Sequence, residues 1–259
     1  MSALDTSVSI SISPPEEAEL ARRGLSLDHI RHAYIEVARQ ILARGGTLAY
    51  GGNPLNVEPN YVDILIALLR TYSKPDRPAP ERVLIYLAAP AWCGLDADKR
   101  AEIGVFATIK KVPAVETAPL QAPLGDKSVG PHFTAMREAM TADTDARVVI
   151  GGRIAEPFVG LWPGVVEEAY LTVRAGQPLY VAGGLGGAAA LVADLVRGRA
   201  RADVELADRD ALLKTFEGAD LNNGLTADDN ALLFDTADLD LMVALVVRGL
   251  ETWWARPSS

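Results

Sequence analysis

The sequence predicts a doubly wound α/β fold of the Rossmann-like kind, a mostly parallel sheet with helices on both faces. Glycine pairs close three short hydrophobic runs: Gly51-Gly52 after Thr47 to Tyr50, Gly151-Gly152 after Arg147 to Ile150, and Gly183-Gly184 after Pro178 to Ala182. Strand-like and helix-like segments alternate with no hairpin signal between them, which forces right-handed crossovers and parallel pairing. The run Arg82 to Ala89 is rich in Val, Ile, Leu and Tyr and does not alternate, as expected of a strand buried on both faces.

Each element follows from its local pattern. Ser7 to Ser13 alternates serine with Val8, Ile10 and Ile12, the period of a first strand, and Pro14-Pro15 stops it. Apolar Ile30, Tyr34, Val37, Ala38, Ile41 and Leu42 recur at helical steps from Ser26 to Arg44, with Ser26 or Asp28 as cap and Gly45-Gly46 as stop. A strand over Thr47 to Tyr50, a helix from Asn60 to Tyr72, a proline-rich loop from Lys74 to Pro80 and the strand at Arg82 to Ala89 come next. Asp96 to Glu102 reads as a short helix, Phe106 to Val115 as an edge strand and Pro113 to Pro123 as a surface loop. Helices are predicted over 133–141, 163–175 and 187–199, with strands at 146–150 and 178–182 between them. Two further helices, 208–217 and 236–254, flank the polar stretch Asp220 to Asn230. The expected division is a single Rossmann-like domain over residues 1–259, with 207–259 a C-terminal helical extension.

Composition narrows the function classes. The 259 residues carry 25 basic and 34 acidic side chains, a net charge of −9, which supplies no electrostatic footprint for nucleic-acid backbone. Nucleic acid is therefore not an expected partner. The single Cys93 excludes an internal disulfide framework or a cysteine-rich zinc site, and no N-terminal apolar run precedes a cleavage signal. Apolar stretches such as Leu241 to Leu245 fall far short of the roughly 20 residues that span a membrane. A cytoplasmic protein without membrane partner, metal or cofactor is expected.

The glycine ends point to an anionic small molecule. Glycine lets the chain turn sharply where a strand ends, leaves no Cβ between main-chain amides and a bound group, and hands over to a helix whose positive end faces the same place. The candidate ligand-binding residues are Ser11 and Ser13 on the first strand, Gly51, Gly52 and Asn53, then Gly151, Gly152 and Arg153, then Gly164, and finally Gly183, Gly184, Gly186 and Gly187. Arg153 follows its glycine pair directly, and its fork of donors suits phosphate or carboxylate. Glu167 and Glu168 stand in the first turn of the helix opened by Pro163-Gly164; the helix dipole favours acids there, and either is placed to meet a ribose hydroxyl or a glycosidic carbon. His29 and His32 lie three apart with no further ligands to complete a metal shell. His132 has no evident partner, and Cys93 lacks a histidine base. Asn222-Asn223-Gly224 with Asn230 reads as a turn or as amides near a base, and Trp253-Trp254 pack the last helix onto the body or onto a second copy in a homo-oligomer. Gly-x-Ser-x-Gly and the phosphate-loop motif are absent, which removes serine hydrolases and P-loop NTPases.

Across most of Ser7 to Gly198 the pattern resembles the SLOG superfamily, the Rossmann-like group of the LOG phosphoribohydrolases, the DprA domain and the N-terminal domains of TRPM channels. The resemblance rests on the serine-alternating first strand, the helix running into Gly-Gly-Thr-Leu-Ala-Tyr-Gly-Gly, the Val-Ile-Gly-Gly-Arg strand end, and Pro-Gly-Val-Val-Glu-Glu-Ala. LOG-like enzymes carry Pro-Gly-Gly-x-Gly-Thr-x-x-Glu here, with the glutamate catalytic in cleaving an N-glycosidic bond. In this chain an insertion separates Gly151-Gly152-Arg153 from Pro163-Gly164, the Gly-Thr is missing, and either Glu167 or Glu168 takes the glutamate's place. The resemblance implies binding of an ADP-ribose-like ligand or nucleoside monophosphate, as in a nucleotide sensor, better than it implies catalysis. The alternatives are an N-glycosidic hydrolase or deoxyribosyltransferase using Glu167 and Glu168, and a non-catalytic scaffold whose glycines serve turns only.

Overall fold

A computed structural model describes residues 6–52, 60–72, 82–122, 126–156, 158–199, 204 and 206–255. The proline-rich segment Lys74 to Pro80 and the candidate ligand residue Asn53 lie outside the described residues. Six strands, β1 (Ser7–Ser13), β2 (Thr47–Gly51), β3 (Val83–Leu87), β4 (Thr108–Lys111), β5 (Ala146–Gly151) and β6 (Leu179–Ala182), form one sheet in the order β4-β3-β2-β1-β5-β6. Every pairing is parallel. The chain runs outward from β1 to β4 on one side, then returns to place β5 on the other side of β1. That reversal is a topological switch point, and it puts the C-terminal ends of β1 and β5 side by side, with Ser13 paired to Gly151.

The helices in chain order are α1 (Glu17–Arg22), α2 (Leu27–Ala43), α3 (Tyr61–Tyr72), α4 (Ala89–Gly94), α5 (Ala97–Phe106), α6 (Gly130–Ala142), α7 (Gly164–Arg174), α8 (Gly187–Val196), α9 (Arg209–Phe216), α10 (Ala227–Asp235) and α11 (Leu239–Trp254). Val8, Ile10 and Ile12 of β1 share a core with Tyr34, Val37 and Ile41 of α2 and Met242, Leu245 and Val246 of α11. On the opposite face Val149 and Val181 join α7, α8 and α9 through Val166, Leu191 and Leu212. Both faces are covered, as the uniform burial of β5 and β6 requires. Burying one such aliphatic side chain contributes about 1.5–3 kcal/mol.

Local signals explain most boundaries. Ser26 N–H donates to His29 Nδ1 at 3.1 Å, so His29 is part of the cap that opens α2. Gly45, at φ 88°, closes α2 with its N–H on Leu42 O at 3.0 Å. The segment expected to be an edge strand over 106–115 contributes only Thr108–Lys111, because α5 extends to Phe106. Two short helices, α1 and α4, were not predicted. The polar stretch 220–230 was expected to be a connector, yet Thr226 and Asp229 form a reciprocal cap that starts α10 inside it. No helix among the described residues is long and apolar enough to cross a membrane.

Candidate functional site

The switch point is where β1, β5 and the start of α7 meet. Ser13 O accepts from Gly152 N–H at 2.7 Å and Ser13 Oγ from Arg153 N–H at 3.2 Å. One turn further on, Glu16 Oε1 accepts from Ile154 N–H at 3.1 Å and Ala155 N–H at 2.8 Å. The four amides of residues 152–155 are thus all held by the end of β1. The turn at Gly151, Gly152 and Arg153 was expected to face a ligand; the amides of Gly152 and Arg153 instead fix the loop, and Arg153 is left with its side chain exposed and in no ion pair among the described residues. Gly152 also touches the first turn of α7, since a Cβ there would come within 2.9 Å of Val165.

The start of α7 has no side-chain cap at Pro163. Arg137, from α6, lies against it: a Cβ on Gly164 would come within 2.8 Å of Arg137 Nη2. Arg137 Nη1 donates to Glu167 Oε2 at 2.8 Å and to Val159 O at 3.4 Å, while Thr134 Oγ1 donates to Glu167 Oε1 at 2.5 Å. Among the described residues Nη2 has no hydrogen bond. The Nε is buried, likewise without a hydrogen bond, and sits 3.6 Å from Glu168 Oε1. A second arginine, Arg147 of β5, completes the network. It reaches Glu168 Oε2 at 3.0 Å, Ser11 Oγ at 2.8 Å, Thr172 Oγ1 at 2.7 Å and Thr141 Oγ1 at 2.9 Å. Burial pulls Arg147 below its ordinary range and the charge of Arg137 adds to this, whereas Glu168 works against it.

Several expectations are corrected by these contacts. Glu167 and Glu168 were expected to present carboxylates to a sugar, and both are buried in ion pairs. Ser11 was expected at a ligand and is 2% exposed, accepting from Arg147. The third glycine turn was expected to open onto the same hollow as the other two, but the chain roofs it over. A Cβ on Gly183 would come within 2.6 Å of Phe234 O, Gly184 is pressed against the Thr236 carbonyl, and Gly186 lies beside Arg23 and Glu19 at the end of α1. Gly187 is pressed against Gly152 O, which accepts from Ala188 N–H at 2.8 Å and so covers the start of α8. These glycines are required by backbone packing. Gly51 faces Met136 and Met140 of α6, and Gly52 lies against the ring of Tyr50.

Other candidates have structural roles. His132, fully buried, accepts from Val115 N–H at Nδ1 (3.0 Å), and its Nε2 lies 3.2 Å from Pro119 O; these are the partners the sequence did not reveal. Asn223 bonds Leu179 O at the start of β6, the edge of the sheet away from the switch point, so this amide patch does not meet the candidate site. Cys93 is exposed, and no cluster of metal-binding side chains occurs among the described residues.

Below Gly52, Tyr34, Tyr50 and Tyr61 pack as a trio with ring centroids 5.3–6.3 Å apart. Burial, before any other cause, pushes all three phenols up, and Tyr86 is raised by burial together with its 2.7 Å bond to Asp143. A folded-state pKa above the unfolded value gives stability that is complete below the unfolded value, about 10 for tyrosine, and is lost as pH rises beyond it. Thermal melts should therefore hold their midpoint up to about pH 10 and fall steeply above it. A flat midpoint to higher pH would contradict this burial.

A family model described as SLOG cluster2 matches residues 3–217. No curated protein matches the chain.

Proposed function

The chain belongs to the SLOG cluster2 family, a group of nucleotide-related Rossmannoid domains, and from that premise we propose that it binds a nucleotide or nucleotide-derived ligand, ADP-ribose-like or a nucleoside monophosphate, at the switch point. The observation that carries the reading is the uncapped start of α7 at Gly164 with Arg137 Nη2 beside it. First-turn amides and a guanidinium edge together suit a phosphate. Ser13 and Arg153 adjoin it, joined by the bond from Arg153 N–H to Ser13 Oγ, and Arg153 brings a further exposed cation to this edge.

Binding is favoured over cleavage of an N-glycosidic bond. A catalytic glutamate needs an oxygen that can meet the developing positive charge, and both Glu167 oxygens are engaged by Thr134 and Arg137. These glutamates instead hold Arg137 in place for the ligand.

Titration calorimetry with ADP-ribose, NAD and nucleoside monophosphates tests the proposal. Arg153→Ala, a surface change that leaves the melting temperature unaltered, is expected to weaken the bound nucleotide about tenfold. Absence of heat for every one of these ligands with the wild-type protein would overturn the reading.

A further inference from the structure

We propose that Glu16 is the residue that reads the sugar of the bound ligand, its Oε2 accepting from a ribose hydroxyl, so that the site selects ribosyl ligands with an intact diol. The inference rests on the nucleotide reading above and adds a residue to it. Glu16 follows Pro14-Pro15 at the end of β1, at the switch point itself. Two consecutive loop amides, Ile154 N–H and Ala155 N–H, clamp its Oε1 at 3.1 and 2.8 Å. A carboxylate fixed through one oxygen has its second oxygen oriented without further loss of side-chain freedom. Among the described residues that second oxygen, Oε2, accepts no hydrogen bond, and the side chain is half-buried at the same rim as Ser13 and Arg153.

The chemistry fits a sugar better than a phosphate. An ionised carboxylate is acceptor only, so it repels a phosphate and bonds a hydroxyl. Glu167 and Glu168, the other acids near the start of α7, have their carboxylates committed to Arg137 and Arg147. Glu16 therefore takes the role that dinucleotide-binding folds give to an acidic residue at the ribose.

Calorimetry with adenosine 5′-monophosphate and its 2′,3′-dideoxy counterpart tests the assignment, on the wild type and on Glu16→Gln. Glutamine keeps a carbonyl oxygen for the two loop amides and puts a donor where Oε2 was. The wild type should prefer the ribonucleotide by about tenfold, and in Glu16→Gln the preference should shrink to about twofold or less through loss of ribonucleotide affinity. Equal wild-type affinities, a preference retained in Glu16→Gln, or tighter binding of both nucleotides by Glu16→Gln would each overturn the sugar role and leave the nucleotide reading standing. A wild type that binds neither nucleotide overturns the sugar role as assigned here, and the nucleotide reading falls with it only if ADP-ribose and NAD also give no heat. If the melting temperature of Glu16→Gln shows that the loop has come apart, equal wild-type affinities still overturn the assignment, and amide shifts of Ile154 and Ala155 that are the same with both nucleotides overturn it as well.

Discussion

Replacing Arg147 by alanine is expected to destabilise the protein by about 3–5 kcal/mol, as much as the costliest truncations of an aliphatic side chain in the core. Arg147 is 1% exposed and ties β5 to β1, α6 and α7 at once. Its loss strands Glu168 in the interior with only Arg137 near it, and leaves Ser11, Thr141 and Thr172 each without a bond they make now. Breaking a buried pair from one side is severe, whereas replacing both partners with apolar groups of similar volume is close to neutral. Arg147→Met combined with Glu168→Met should accordingly recover much of the stability that Arg147→Met alone loses. Urea unfolding curves of the single and double variants provide the comparison. An Arg147→Ala protein within about 1 kcal/mol of wild type would show that this network contributes specificity of packing and little stability.

Ending the chain at Gly218 is expected to abolish soluble monomer. The family match stops at residue 217, yet the sheet depends on the C-terminal segment beyond it. β6 is an outer strand of the sheet, and its Leu179 N–H donates to Leu221 O at 3.0 Å while Asn223 Nδ2 donates to Leu179 O at 2.8 Å. Without residues 219–259 these groups form part of an open edge, a template for pairing with another copy. The truncation also removes Leu221, Leu233, Met242, Leu245, Val246 and Leu250 from the core, and six buried side chains at about 1.5–3 kcal/mol each are of the same order as the 5–15 kcal/mol by which a domain is normally stable. Size-exclusion chromatography of the 1–218 fragment is the check, and a soluble, monomeric fragment with native helicity would contradict it.

The fold was legible in the sequence because the relevant signals are local. The Ser-Val-Ser-Ile-Ser-Ile-Ser alternation assigns both faces of β1, and each Gly-Gly strand end falls where the sheet stops. The site was only partly legible. Whether a glycine pair opens onto solvent or is roofed by another segment depends on chain far away; Gly184 meets Thr236, a contact no local pattern encodes. Arginine signals were present without being decisive. Arg147 interrupts a strand whose neighbours are all buried, and Arg137 lies on the face of α6 that carries Met136 and Met140. A charge in either position implies a buried partner, but Glu167 and Glu168 are identified as those partners only by crossovers that bring α7 against α6 and β5. Glu16, two residues beyond a strand stop, carries no signal in its local sequence, because its amide partners lie 138 and 139 residues away.

Backbone amide shifts during titration with ADP-ribose or a nucleoside monophosphate test the central claim most directly, because they locate the ligand without altering any residue. Binding at the switch point predicts that the largest shifts fall on Ser13, Gly151 to Ala155, and Gly164 to Val166. Shifts confined to other parts of the molecule, or saturating titrations that leave these amides unmoved, would contradict it.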